Sequence, residues 1–323
     1  MAAGIVTPNK NDTRDTALTL YTGEVIKTFR EKNVALGTVK SRTISGGKSA
    51  QFIVTGDAKL DDIQTHTRGD EVINSVLAND EVTITIEERF VHSHFLDTLD
   101  EKLAQYEVRG ELAFQSGQIL ATKIDKQIFA YLGNTVAAMD PLPGQRDAST
   151  ITATGYSGTP EAGVTVAEHK GNAIIAALYV AKAELNAKNV TDTPTVFVAP
   201  EDYYNIVQST KGVNTDFTSN NGGIDTGMVR QIAGFSIGWT THFFGGATPG
   251  TTTVTIGDEA SATVLTDIKA LMYTQDVMGV VKAMDIQSES NYDFRRLGYQ
   301  LTSFYALGMG GLNPTGMVVI NKP

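Results

Sequence analysis

The spacing of apolar and small residues between Asp97 and Leu132 constrains this chain more than any other feature. Leu99, Leu103, Tyr106, Gly110, Ala113, Gly117, Leu120, Ile124, Ile128 and Tyr131 recur at alternating steps of four and three, which returns each to one side of a 3.6-residue helix. Such a stripe has to be buried. At about 1.5 Å per residue an unbroken helix here is roughly 50 Å long, a spine for the whole molecule. Asp97 is suited to cap its start and Gly133-Asn134 to close its end. Val108 and Gly110 are poor helix formers, which places a break near Gln105 to Val108 and turns the spine into a short helix followed by a long one.

Upstream, Ala17, Leu18, Tyr21, Val25, Ile26 and Phe29 keep helical spacing, so an amphipathic arm helix starts near Asp15 and ends near Asn33. On its own such a helix is marginal; it has to dock on the body or on a neighbouring copy. Between Ser41 and Phe90, Phe52 and Val54, then Val82, Ile84 and Ile86, alternate with polar residues, giving two strand-like runs joined by a Gly, Asp and Thr-rich segment. The pattern is a long, exposed two-stranded loop. An isolated ribbon of two strands is hardly stable in water, so the chain must lay it on something else, which hints at self-assembly.

Past the spine, Asp140 to Gly163 is rich in Pro, Gly, Ser and Thr and marks a boundary. Ile174, Leu178, Ala181 and Leu185 predict a second helix, TPTVFVAP a short buried strand stopped by Pro200, and EDYYNIV a further helix. A glycine-rich loop at Asn220 to Gly223 and strands within MVRQIAGFSIGWTTHF complete a compact α/β unit, with the polar Gly245 to Ala262 segment at its tip. Strand alternation resumes from Ala270 and is clearest at Tyr292, Phe294 and then Tyr299, Leu301, Ser303, Tyr305 and Leu307.

With 323 residues, 41% of them hydrophobic and 8% aromatic, the chain has material for about two domains and a sizeable core. No apolar run reaches the roughly 20 residues of a membrane helix. The first fifteen residues lack the apolar segment of a signal peptide, so a soluble, non-exported protein is expected. The absence of cysteine excludes disulfides, thiolate metal sites and cysteine nucleophiles, and fits a reducing cytoplasm. The net charge of −10 is uneven: residues 1–50 carry eight Lys or Arg against four acids, net +4, which leaves −14 for the other 273. Tight nucleic-acid binding requires a dense cationic face, and the chain as a whole repels DNA. Only the arm suits a polyanion or an acidic partner, the plainer reading being a solvated basic segment.

Fragments that imitate catalytic motifs are incomplete. Gly46-Gly47-Lys48-Ser49 ends like a phosphate-binding loop, but Arg42 stands where the first glycine of that pattern belongs. His92 and His94, two apart in a strand, present one face to a metal without a third ligand at motif spacing. Asp61-Asp62, Glu87-Glu88 and Asp285 to Glu289 offer carboxylates outside any defined pocket. Gly308-Met309-Gly310-Gly311 reads as a turn, and Tyr203, Tyr204 and Trp239 as packing.

RTISGGKSAQFIVTG (42–56), LDD (60–62), FLDTLDEKLAQYEVRGELAFQSGQILA (95–121), YDFRRLG (292–298) and ALGMGGLNPTGMVVI (306–320), with TGEVIKTF (22–29) in the arm, resemble the major capsid proteins of T7-like short-tailed bacteriophages. The likeness runs in order along most of the chain and skips 134–165 and 244–262. It implies the α+β HK97-type capsid fold, with an N-terminal arm at 1–40, an extended loop at 41–90, a peripheral domain from 91–150 and 281–323, and an axial domain from 151–280. It implies a virion head protein that self-assembles into hexamers and pentamers of an icosahedral shell around double-stranded DNA. Assembly in the host cytoplasm would pass through a procapsid with a scaffolding protein and a portal at one vertex, and cement proteins are a further possible partner.

That resemblance implies no enzyme, no cofactor, no metal, no catalytic residue and no Lys–Asn cross-link. In the loop, Arg42 and Lys48, with Asp61 and Asp62, are candidates for ion pairs between subunits, Gln51 for a further contact and Phe52 for a packing anchor. The competing expectation is an α/β enzyme using Asp, Glu and His, which requires a pocket of convergent carboxylates. A third is a tail or scaffold component, and the β and aromatic content speaks against a scaffold.

Overall fold

The computed structural model describes residues 13–56, 63, 65–69, 71–72, 79–86, 89–104, 107–141, 144–209, 222–223, 228–229, 231–242, 253–256, 259–264 and 268–323. Helix α1 (Thr13–Lys32) leads into strands β1 (Lys40–Thr43), β2 (Ser49–Thr55), β3 (Asn79–Thr85) and β4 (Phe90–Asp97), then helices α2 (Thr98–Leu103) and α3 (Val108–Tyr131). Next come β5 (Ser149–Thr152), α4 (Val166–Ala187), β6 (Thr195–Val198) and α5 (Pro200–Gln208). Short strands β7 (Gly222–Gly223), β8 (Met228–Val229) and β9 (Gln231–Ile232) precede β10 (Phe235–Trp239) and the pair β11 (Thr253–Ile256) and β12 (Glu259–Val264). The chain closes with β13 (Ile268–Tyr273), β14 (Met278–Asp293), β15 (Gly298–Gly311) and β16 (Met317–Asn321). No described helix is long and apolar enough to cross a membrane.

The spine breaks just ahead of its poor helix formers, and Val108 and Gly110 open the second helix. The Asp97 carboxylate accepts from the Leu99 amide at 2.7 Å and caps α2; α2 stops at Leu103 and α3 starts at Val108. The long helix is therefore about 36 Å rather than 50 Å. Its stripe is buried from Ala113 to Ile128 and partly buried at Tyr131, whereas Leu99 and Leu103 on α2 are exposed. At the other end Gly133-Asn134 does not close the helix. Leu132–Val136 continue as one wider turn with Leu132 and Val136 fully buried, so core packing overrides the local stop signal.

Helix α1 docks on the body of its own chain, with Tyr21, Val25 and Phe29 buried beside the spine. Gly117 sits at the crossing. A Cβ there would stand 2.8 Å from the Val25 carbonyl oxygen and 2.9 Å from Thr28 Cβ, so the two helices approach this closely only because Gly117 has no side chain.

Two sheets frame the spine. A four-stranded sheet runs β1-β14-β15-β4, with β1 parallel to β14 and the rest antiparallel. A six-stranded sheet runs β5-β16-β13-β6-β10-β9, with β5 parallel to β16 and β10 parallel to β6. The second sheet serves two cores. Phe197, Leu271, Tyr273, Met317 and Val319 join the spine core, where Phe197 meets Phe129 edge-on at 5.2 Å. The alternating Val196, Val198, Ala270, Met272, Val318 and Ile320 face α4 and α5 instead. Hydrophobic on both faces, these strands read as continuous apolar runs for that reason.

Strand β5 falls inside the segment that composition marks as a boundary. Its alternation is too short to see locally, and it exists by pairing with β16, residue Val318 opposite Ser149. β16 itself is interior, between β5 and β13. The backbone of β11, within the segment read as a tip, passes beside α3.

Candidate assembly surfaces

The paired strands β2 and β3 form the base of the expected loop, in register from Ser49 opposite Thr85 to Thr55 opposite Asn79. Every second residue of β2 is buried. Ala50, Phe52 and Val54, with Ile84 and Ile86, lie on Val281, Ala306 and Leu312. The seat is the Gly308-Met309-Gly310-Gly311 run, which is the end of strand β15 and not a turn. A Cβ on Gly308 would stand 2.5 Å from the Thr85 carbonyl oxygen, and one on Gly310 2.5 Å from Ile84 Cγ1. The glycines are a groove in a strand, made for close approach of another backbone.

Of the predicted loop contacts, Phe52 is buried within its own chain, while Arg42, Lys48 and Gln51 are exposed. Arg42 donates from Nη1 to the Gln51 carbonyl oxygen at 2.8 Å, tying β1 to the outer face of β2. The Lys48 carbonyl accepts from the Ile86 amide at 2.8 Å, which leaves its side chain outward. Ile53, on the same outer face as Gln51, is 75% exposed. Asp61 and Asp62 lie outside the described residues, as do Glu87 and Glu88.

A junction that motif reading did not single out joins three parts of the chain. Asp125, fully buried on α3, accepts from Asn33 Nδ2 at 2.9 Å, the Val34 amide at 3.0 Å and the Ala35 amide at 3.1 Å. His242, just past β10, places Nδ1 2.7 Å from Asp125 Oδ2, the oxygen that also accepts from the Val34 amide, and Nε2 3.3 Å from Thr122 Oγ1. The signal was present in the sequence: Ala121, Asp125, Ile128 and Leu132 share a helix face, so the carboxylate lies on the apolar side of the spine.

The motif fragments resolve into structure. Gly46 to Ser49 connects β1 to β2, with no helix following. His92 and His94 share the inner face of β4, edge to face at 4.4 Å, with His92 Nδ1 3.2 Å from Ser116 Oγ. Burial, and then His94, hold His92 below its ordinary pKa. Among the described residues no three His, Asp or Glu side chains gather to hold a metal. Asp285 is exposed beside Lys282. Tyr203 packs as expected, but Tyr204 and Trp239 remain half exposed.

The described residues combine an arm helix packed on a spine with a hairpin laid on a glycine groove. The chain's fold matches the capsid structure of the cyanophage P-SCSP1u with a TM-score of 0.74, at 23% identity, over 90% of this chain and 88% of that one. The architecture is the HK97-like capsid fold. In sequence it is 26% identical to the major capsid protein of Enterobacteria phage T3 across 94% of this chain and 91% of that protein. It is 25% identical to the major capsid protein of Escherichia phage T7 across 92% and 89%. Residues 31–321 match the profile of the Gp10A-like family, described as major capsid protein. The chain belongs to that family, and its work is structural: it is a building block of a phage head.

Proposed function

We propose that this chain is the repeating subunit of an icosahedral shell, arranged as hexamers and pentamers around double-stranded DNA, and that it acts without catalysis. The observation that carries the reading is the β2–β3 loop base, clamped to its own subunit by Phe52 and Ile84 with Gln51, Ile53, Arg42 and Lys48 turned outward. A rigidly seated loop with a bare outer face offers a neighbour the same contact at every position of a ring. Residues 1–40 serve as the arm, 41–90 as the extended loop, 91–150 and 281–323 as the peripheral domain and 151–280 as the axial domain, with β16 as the strand that ties the last two together. The acidic bulk suits a container that must release its DNA, while the net positive arm suits an acidic scaffolding protein during assembly in the host cell. A portal occupies one vertex. Negative-stain electron microscopy of the purified protein, alone and co-expressed with its scaffolding protein, tests this. Closed shells or rings of five and six are expected; a monodisperse monomer in both samples overturns it.

A further inference from the structure

The inner face of the four-stranded sheet is apolar at one end and polar in its middle. Phe90 pairs with Tyr305, and their rings stack at 5.2 Å. Two residues along, His92 of β4, Ser303 of β15 and Ser288 of β14 stand opposite one another in register, and the next inward residue, His94, stands opposite Leu301. A sheet face that covers a core turns apolar side chains inward at such places. Here the row is hydrogen-bonded instead. Ser288 Oγ and Ser303 Oγ are 2.8 Å apart, and His92 Nδ1 is 3.2 Å from Ser116 Oγ on α3. The arm helix closes this seam with one polar group, the Tyr21 hydroxyl, 3.4 Å from Ser116 Oγ and 3.5 Å from Ser303 Oγ. Tyr21, Ser116 and Ser303 are all buried.

A positive charge finds no counterpart in the seam. His92 and His94 meet edge to face at 4.4 Å, so a proton on one ring faces the other, and His94 Nε2 is buried without a hydrogen-bond partner. Cations stand at both ends of the pair: Lys123 of α3 lies 5.9 Å over the Phe90 ring and Arg109 of α3 4.6 Å over the Tyr299 ring. The acids of the neighbouring elements are engaged elsewhere. Glu101 accepts from Arg109, and Asp125 accepts from the arm's turn into β1. Glu24 of α1 reaches toward the first turn of α3, its Oε2 3.4 Å from where a Cβ on Gly110 would stand. Tyr21, Tyr299 and Tyr305 are the other titratable groups around the pair, and burial pushes the Tyr305 hydroxyl up. The seam therefore favours neutral rings, in keeping with His92 lying below its ordinary pKa.

We infer that His92 and His94 form an acid-operated release for the arm: proton uptake in the seam undocks α1 while the sheets and the spine stay folded. Of the elements around the pair, α1 is the one that yields. β4 is paired to β15 along its whole length, and α3 reaches the second sheet through Phe129 and Phe197. α1 rests on Tyr21, Val25 and Phe29 and on the Asp125 junction at its end. A helix draws most of its stability from such packing, so a charged floor weakens this one first, and opening it lets water reach the protonated rings. The device belongs to the single subunit and does not depend on the shell reading.

Hydrogen exchange of the unassembled full chain, followed by mass spectrometry and corrected for the intrinsic pH dependence of amide exchange, tests this. Between about pH 7.5 and about pH 5.5, exchange at residues 21–32 is expected to speed up by about tenfold or more, with residues 195–198 and 317–321 unchanged. His92→Gln combined with His94→Gln removes both titrating rings and is expected to hold the arm at its neutral-pH rate throughout. Equal acceleration in that double variant overturns the inference. So does acceleration spread evenly over the chain, which is global unfolding. Should the double variant not fold, the unsubstituted chain supplies the check: the His92 ring, one of five histidines, is titrated by NMR, and its midpoint is expected to coincide with that of the arm's exchange. Midpoints more than about one pH unit apart overturn the inference.

Discussion

Asp125 Oδ2 stands 2.7 Å from His242 Nδ1, so a carboxylate on the spine helix holds a ring that follows the far end of β10. The same group collects three donors from Asn33 to Ala35, where the arm turns into β1. One side chain thus fixes the arm, the spine and the segment after β10 of the six-stranded sheet against one another.

Replacing Asp125 with Ala leaves these donors buried and unpartnered, and is expected to cost about 3–5 kcal/mol of subunit stability. Urea unfolding of dissociated subunits measures it. Limited proteolysis should also cut faster between Asn33 and Lys40 in the variant. An unshifted midpoint with unchanged cleavage would mean that the junction is not what fastens the arm.

The groove under the loop gives a sharper steric test. In Gly308→Ala the new methyl meets a backbone oxygen of β3, which cannot move without lifting the hairpin. We expect a loss of about 1–3 kcal/mol and faster hydrogen exchange at the Ile84 and Ile86 amides. Phe52→Ala should loosen the same hairpin by about 3–5 kcal/mol. Ile53→Asp, on the exposed face, should leave the exchange pattern unaltered.

Leu297 adopts a φ of +53° in the turn between β14 and β15, a conformation that costs a branched side chain about 1–2 kcal/mol and costs glycine almost nothing. Leu297→Gly is therefore expected to raise the thermal midpoint of the subunit and Leu297→Val to lower it. The opposite order in calorimetry would remove strain as the explanation.

His92 should make the subunit acid-sensitive. Burial and the neighbouring His94 hold its pKa below 6.5, so the fold favours the neutral ring. Its contribution is complete above the unfolded value and is lost as pH falls through about 6.5 and below. Denaturation midpoints from pH 8 down to about 5 should fall less steeply in His92→Gln than in the unsubstituted chain. Parallel slopes would rule this residue out as the sensor.

Local periodicity was enough for much of this protein. The stripe from Ala113 to Tyr131 fixed the spine, the steps from Tyr21 to Phe29 the arm helix, and the alternation at Phe52 and Ile84 the loop strands, because helix and strand repeats are written in neighbouring residues. The scattered likeness to T7-like capsid proteins pointed to the family for the same reason, as it preserves those repeats in order. Contacts between segments distant in the chain were a different matter. Glycines 308 to 311 look like a turn until β3 is seen lying in their groove, Gly133 looks like a stop until the core claims Leu132 and Val136, and β5 has no identity without β16. The helix repeat puts Asp125 on the apolar face of the spine, but its partners are named only when residues about ninety before it and 117 after it arrive as donors. Burial and hydrogen-bond partners are properties of the assembled chain, and only the tertiary structure could assign them.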